Sequence, residues 1–165
     1  MILLLESIDS RGSFRLLRDG AEQFQLKYQN WFSSKAVTAY NDQQIIMKSK
    51  NIWMSKFDIF KDDKDVGDII FNWMGHVIIR LTRADGKGED EFLLKHRGIV
   101  STQYELRTEE NEHLLTLKAG FNWKKFKYNY EIIREDHDYP DVVLDELLIY
   151  CGFAANLHMT NSGMG

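Results

Sequence analysis

The chain has 165 residues, of which 44% are apolar and 28% charged, with 21 aromatic side chains and a net charge of −4. That length fits one domain hiding roughly 70% of its unfolded surface, enough for a core without metals or disulfides, and the aromatic content excludes intrinsic disorder. The pI of about 5.7 argues against a general nucleic-acid binder, and one cysteine, Cys151, excludes an intramolecular disulfide and fits a reducing compartment.

The N-terminal run Met1-Ile2-Leu3-Leu4-Leu5, stopped by Glu6, is too short for a secretory signal. The longest uninterrupted apolar run, counting Gly152, is Leu147 to Ala155, against the roughly 20 residues a membrane span needs. A soluble, cytoplasmic protein without a transmembrane segment is expected, with peripheral attachment to a membrane left open. Charge is unevenly placed. Residues 1–57 carry eight basic and five acidic side chains, or +3, and residues 58–165 carry thirteen and twenty, or −7.

From about residue 13 to 135 the pattern is that of strands. Phe24, Leu26 and Tyr28 alternate with glutamines and Lys27, Val37 and Ala39 with Thr38 and Tyr40, and Phe57 and Ile59 with Lys56 and Asp58. Leu115 and Leu117 alternate with Thr116 and Lys118, and Phe126, Tyr128 and Tyr130 with Lys125, Lys127 and Asn129. Such period-two runs have one buried face. Turn signals recur about every 20 residues at Arg18-Asp19-Gly20, Asn41-Asp42, Asp62-Asp63, Asp85-Gly86 and Glu109-Glu110-Asn111. Second turns fall between them, at Ser33-Ser34, Met74-Gly75 and Arg97-Gly98. Phe71-Asn72-Trp73 recurs as Phe121-Asn122-Trp123, a weak internal echo that suits repeated hairpins.

After Pro140, the sole proline, the pattern changes. Proline and Asp141, Asp145 and Glu146 suit a helix N-terminus, and the apolar positions from Val142 to Met159 cover nearly the whole circumference. A helix apolar all round is buried in protein or membrane, and this one is read as too short to span. A mainly β fold with one helix follows: a closed antiparallel barrel of about 11–12 strands around a buried C-terminal helix at about 140–159. Residues 160–165 are read as a frayed tail, and the whole chain 1–165 as one domain.

This combination resembles the tubby C-terminal-like superfamily, which includes tubby proteins, phospholipid scramblases and LURP-one-related proteins. The residues carrying the resemblance are Ser55-Lys56-Phe57-Asp58-Ile59-Phe60-Lys61-Asp62, Val66-Gly67-Asp68-Ile69 and the helix Leu144 to Met159. Together they span the order of elements over roughly residues 13–159. The resemblance implies a barrel threaded by its helix and a membrane-lipid role. The phosphoinositide-binding Lys/Arg pair of tubby proteins and the calcium pattern and cysteine cluster of scramblases are absent.

The side chains that could carry chemistry are dispersed. Histidines 76, 96, 113, 137 and 158 form no metal-ligand spacing, and His113 and His137 are read as solvated. Asp58, Asp62, Asp63, Asp65 and Asp68 form an acidic cluster without the EF-hand arrangement, which favours a solubilising hairpin turn. Cys151 is a small core residue. Ser33-Ser34 and Ser101 lack a nucleophile elbow, and Gly86-Lys87-Gly88 is a hairpin tip. No cofactor is expected.

The better candidates are basic. Lys48, Lys50 and Lys56 surround Trp53, and Lys124, Lys125 and Lys127 flank Trp123, Phe126 and Tyr128. Tryptophan at headgroup depth with lysine on lipid phosphate is an interfacial contact. Plain in/out alternation of a strand also accounts for Lys125 and Lys127. Three functions stay open: a non-catalytic binding or scaffolding module touching anionic lipid or phosphoinositide, a protein-partner or homodimer-forming subunit, and an enzyme assembled from dispersed residues such as His76 and His96.

Overall fold

A computed structural model describes residues 1–29, 34–72, 75–98, 101–135 and 138–161. Twelve antiparallel strands follow one another around a closed barrel, each paired with its chain neighbours, and β1 pairs with β12 to close it. They are β1 (Leu3–Ser7), β2 (Phe14–Arg18), β3 (Ala21–Tyr28), β4 (Ala36–Tyr40), β5 (Gln43–Ser49) and β6 (Lys56–Lys61). The second half comprises β7 (Lys64–Phe71), β8 (His76–Thr82), β9 (Glu89–Arg97), β10 (Gln103–Thr108), β11 (His113–Asn122) and β12 (Lys127–Arg134), before the helix α1 (Asp141–Asn161).

The barrel begins earlier than residue 13. Leu3-Leu4-Leu5 shows no alternation, yet Leu3, Leu5 and Ser7 face inward and Leu4 lies on the outside, opposite Leu17 and Glu131. Alternation fails a second time in β4. Ala36 and Thr38 are buried and Ala39 is exposed, the inverse of the face expected for Val37 and Ala39, because Tyr40 is needed inside to reach the helix.

The acidic turns are hairpins for a steric reason. Asp19 and Gly20, Asn41 and Asp42, and Asp62 and Asp63 all have positive φ, as two-residue turns matching the strand twist require, and Asn, Asp and Gly tolerate it best. The Asp62-Asp63 stretch is therefore a turn, with Asp62 Oδ1 accepting the Gln44 N–H at 2.9 Å. Gly67 has another role. A Cβ there would lie 2.0 Å from the Arg80 carbonyl oxygen, so β7 approaches β8 at a spacing only glycine allows.

Helix α1 fills the interior. Leu144, Leu147 through Ala155 and Met159 are buried against the inward faces of the strands, with Phe57 and Phe153 edge-to-face at 5.0 Å. Its 21 residues run beyond the expected end at 159, and Thr160 and Asn161 are still helical. By length and composition the helix could cross a membrane, contrary to the expectation that it is too short, but 72% of its most apolar window lies inside the barrel. Burial pushes the Cys151 thiol up, as for a packed core residue.

Candidate functional site

The meander sends alternate connections to opposite ends. At the end where α1 enters, ion pairs hold its first turns. Arg18 bonds Asp145 at 2.6 Å, Arg134 pairs with Asp141, and Lys61 pairs with Glu146. Tyr40 Oη donates to the Val142 carbonyl at 3.3 Å, and burial with the Asp145 charge lifts its phenol to about 12.

At the other end, α1 finishes among polar side chains. Tyr104 Oη and His158 Nδ1 are 2.7 Å apart, and the His158 and His96 rings lie 5.0 Å apart. Tyr130 Oη donates to Asn156 Oδ1 at 2.9 Å, and Asn156 Nδ2 donates to the Gly12 carbonyl at 3.0 Å. Two of the dispersed histidines, 96 and 158, therefore meet, while His76 sits on β8 opposite Lys95. His113 is half-buried and bonded to Thr116 Oγ1 at 2.9 Å, which corrects the solvated reading. His137 and Ser33 lie outside the described residues. Among the described residues no three His, Cys, Asp or Glu side chains converge as a metal site requires.

The Lys/Trp candidates divide into two hairpin tips at this same end. The β5–β6 tip, 50–55, exposes Ile52 and Trp53 at 87% and 81% of their surface. Asn51 holds it: Oδ1 accepts the Ser55 N–H at 3.2 Å, and Nδ2 donates to Ser55 Oγ at 3.0 Å. The β11–β12 tip, 123–126, exposes Trp123 and Phe126 at 77% and 66%. Here Asn122 Oδ1 accepts the N–H groups of Lys124 and Lys125 at 3.1 and 3.3 Å. Phe121 packs edge-on between Trp123 and Tyr128, at 4.7 and 5.3 Å, and ties the tip to the wall. Phe126 is thus a turn residue with φ 54° and not the core position that alternation implies. In both copies of the Phe-Asn-Trp echo, the asparagine caps the end of its strand, since Asn72 Oδ1 accepts the His76 N–H at 3.1 Å.

The lysines are not equivalent. Lys124 and Lys125 are exposed, and Lys127 opens β12 opposite Asn122. Lys50 and Lys56 reach Asp58 and Asp68, at 3.9 and 3.5 Å, and Lys48 lies 5.0 Å above the Phe60 ring. Asp58 and Asp68 are direct cross-strand partners. Their repulsion is offset by these lysines and by Arg80, whose fork on Asp68 at 2.7 and 2.8 Å helps hold that carboxyl below its ordinary value against its own burial.

The two ends differ in charge. Among the described residues, the connections at the tip end carry five basic side chains and one acidic, and those at the helix-entry end two basic and ten acidic. Depressions of about 200, 390, 460 and 400 Å³ lie beside Tyr139, Gln103, Glu91 and Thr38, and none of these four is lined by residues of either tip. The two tips offer apolar and cationic contact, whereas the depression beside Tyr139, at the helix-entry end, is lined by Arg83, Asp90, Glu91, Thr108, Glu109 and Glu146. Comparison with protein-family profiles, with curated proteins and with solved structures returns no match to this chain.

Proposed function

We propose that this chain is a non-catalytic binding module of tubby- or scramblase-like architecture that contacts anionic membrane lipid from the cytoplasmic side through its two hairpin tips. The observation that carries the reading is the exposure of Trp53 and Trp123, with lysines beside them, at one end of a barrel whose other end is acidic. Tryptophan is amphipathic and sits at headgroup depth, and each lysine near an anionic surface contributes about 1 kcal/mol. A barrel occupied by its own helix leaves the outer surface for binding.

The test is flotation of the purified protein with neutral and with phosphoinositide-containing liposomes, at low and physiological salt. The reading expects flotation with the anionic vesicles at both salts, and its loss on changing Lys124, Lys125 and Lys127 to Glu. Absence of flotation under every condition sinks it. A dimer in light scattering that dissociates on Trp123→Ser would instead assign the exposed aromatics to self-association.

A further inference from the structure

We infer that the two tips are two feet on one bilayer, so that this barrel recognises a lipid surface and not an individual headgroup. The inference rests on the lipid reading above and adds the stance of the molecule and the kind of target it fits.

The β5–β6 and β11–β12 hairpins lie six strands apart in a ring of twelve, on opposite sides of the barrel and at the same end. With strands about 4.8 Å apart and tilted by about 40°, such a ring is roughly 24 Å across. Both tips share one design. Each projects a tryptophan with a second apolar side chain, Ile52 or Phe126, has lysine at its base, and is braced by an asparagine. The bracing means that little loop ordering remains when the tips touch a surface. Neither tip lines a depression described above, so neither is built as a pocket that encloses a single phosphate. A flat anionic interface is the target that two shallow, separated, apolar-and-basic contacts fit together.

Charge fixes the orientation. The acidic connections at the helix-entry end are repelled by the same surface that attracts the tips, so the barrel stands with its acidic end outward and the C-terminal end of α1 toward the lipid. Two weak contacts joined by a rigid body behave as a bivalent ligand, in which the first raises the effective concentration of the second. Removing either foot then costs most of the binding, whereas two independent lipid sites would each lose only their own share.

The experiment measures partitioning onto phosphatidylcholine vesicles containing phosphatidylserine, for the wild type, Trp53→Ser, Trp123→Ser and the double variant. Both side chains are more than three-quarters exposed, and unchanged urea midpoints establish that the variants are folded. Each single variant is expected to lose about tenfold or more, the double little beyond that, and soluble inositol phosphate to displace nothing. Losses near twofold for each single variant, or release by soluble inositol phosphate, would overturn the two-footed stance while leaving lipid binding in place. No partitioning of the wild type would remove the lipid reading itself.

Discussion

Arg18 and Asp145 stand 127 positions apart in the sequence and 2.6 Å apart in space, and the Asp145 side chain is 3% exposed. Burial raises the Asp145 carboxyl above its ordinary value while Arg18 pulls it back. Arg18→Met would leave the carboxylate enclosed without its cation, and loss of one partner of a buried pair costs about 3–5 kcal/mol. Changing both, Arg18→Met with Asp145→Leu, should recover most of that. Urea midpoints of the single and double variants check it, and a double variant no better than the single would refute the pairing.

His158 predicts a dependence on mild acid. Burial holds its imidazole below the ordinary 6.5, and the neighbouring His96 adds to this. The unfolded chain therefore takes up the proton before the folded one does, so stability is full above the ordinary value and declines as pH falls from there toward the lowered folded value. The carboxylates held low, Asp68 and Glu105, start from 3.8 and 4.5 and act below this window. Urea titrations from about pH 7.5 to about pH 5 should show the decline, and His158→Gln should flatten it.

Gly152 inverts the usual rule for helices. Ala in place of Gly ordinarily stabilises a helix by about 1 kcal/mol, but a Cβ here would lie 2.5 Å from Phe14 Cζ and 3.1 Å from Leu5 Cδ1. Phe14 is buried and has nowhere to go. Gly152→Ala should cost about 1–3 kcal/mol, and adding Phe14→Leu should return part of it in thermal melts.

The Asp62-Asp63 hairpin gives a stabilising substitution. Asp63 has φ 68° and its side chain makes no hydrogen bond, whereas Asp62 Oδ1 accepts the Gln44 N–H. Asp63→Gly should stabilise by about 0.5–1 kcal/mol by relieving the left-handed backbone, while Asp62→Gly forfeits its hydrogen bond and should gain nothing. Denaturation of the two variants side by side separates them.

These residues show where sequence is a sufficient guide. The helix was legible as a plug because its apolar positions run right round the cylinder, and the turns were legible because Asp, Asn and Gly are what left-handed backbone selects. Leu3-Leu4-Leu5 hid its alternation by placing leucine on the outer face. Phe126 misled because an exposed aromatic at a turn mimics the period of a strand. The Trp53 and Trp123 groups could be found by composition, but their shared end depends on counting strands around a ring. Arg18 with Asp145, and His96 with His158, left no signal, since contacts between wall and plug have no fixed spacing in sequence.

The closing of β1 on β12 around α1 has a consequence for how the protein is made. The first strand emerges from the ribosome about 125 residues before its partner, and the helix that fills the barrel comes later still. Through most of synthesis β1 is paired with β2 alone and leaves its other edge open, the kind of segment that recruits stray strands. The hairpins between can form as they appear, because each strand pairs with its neighbour, but they have nothing to wrap until Asp141–Asn161 is complete. The helix, translated after all twelve strands, is the segment that lets β1 find its place.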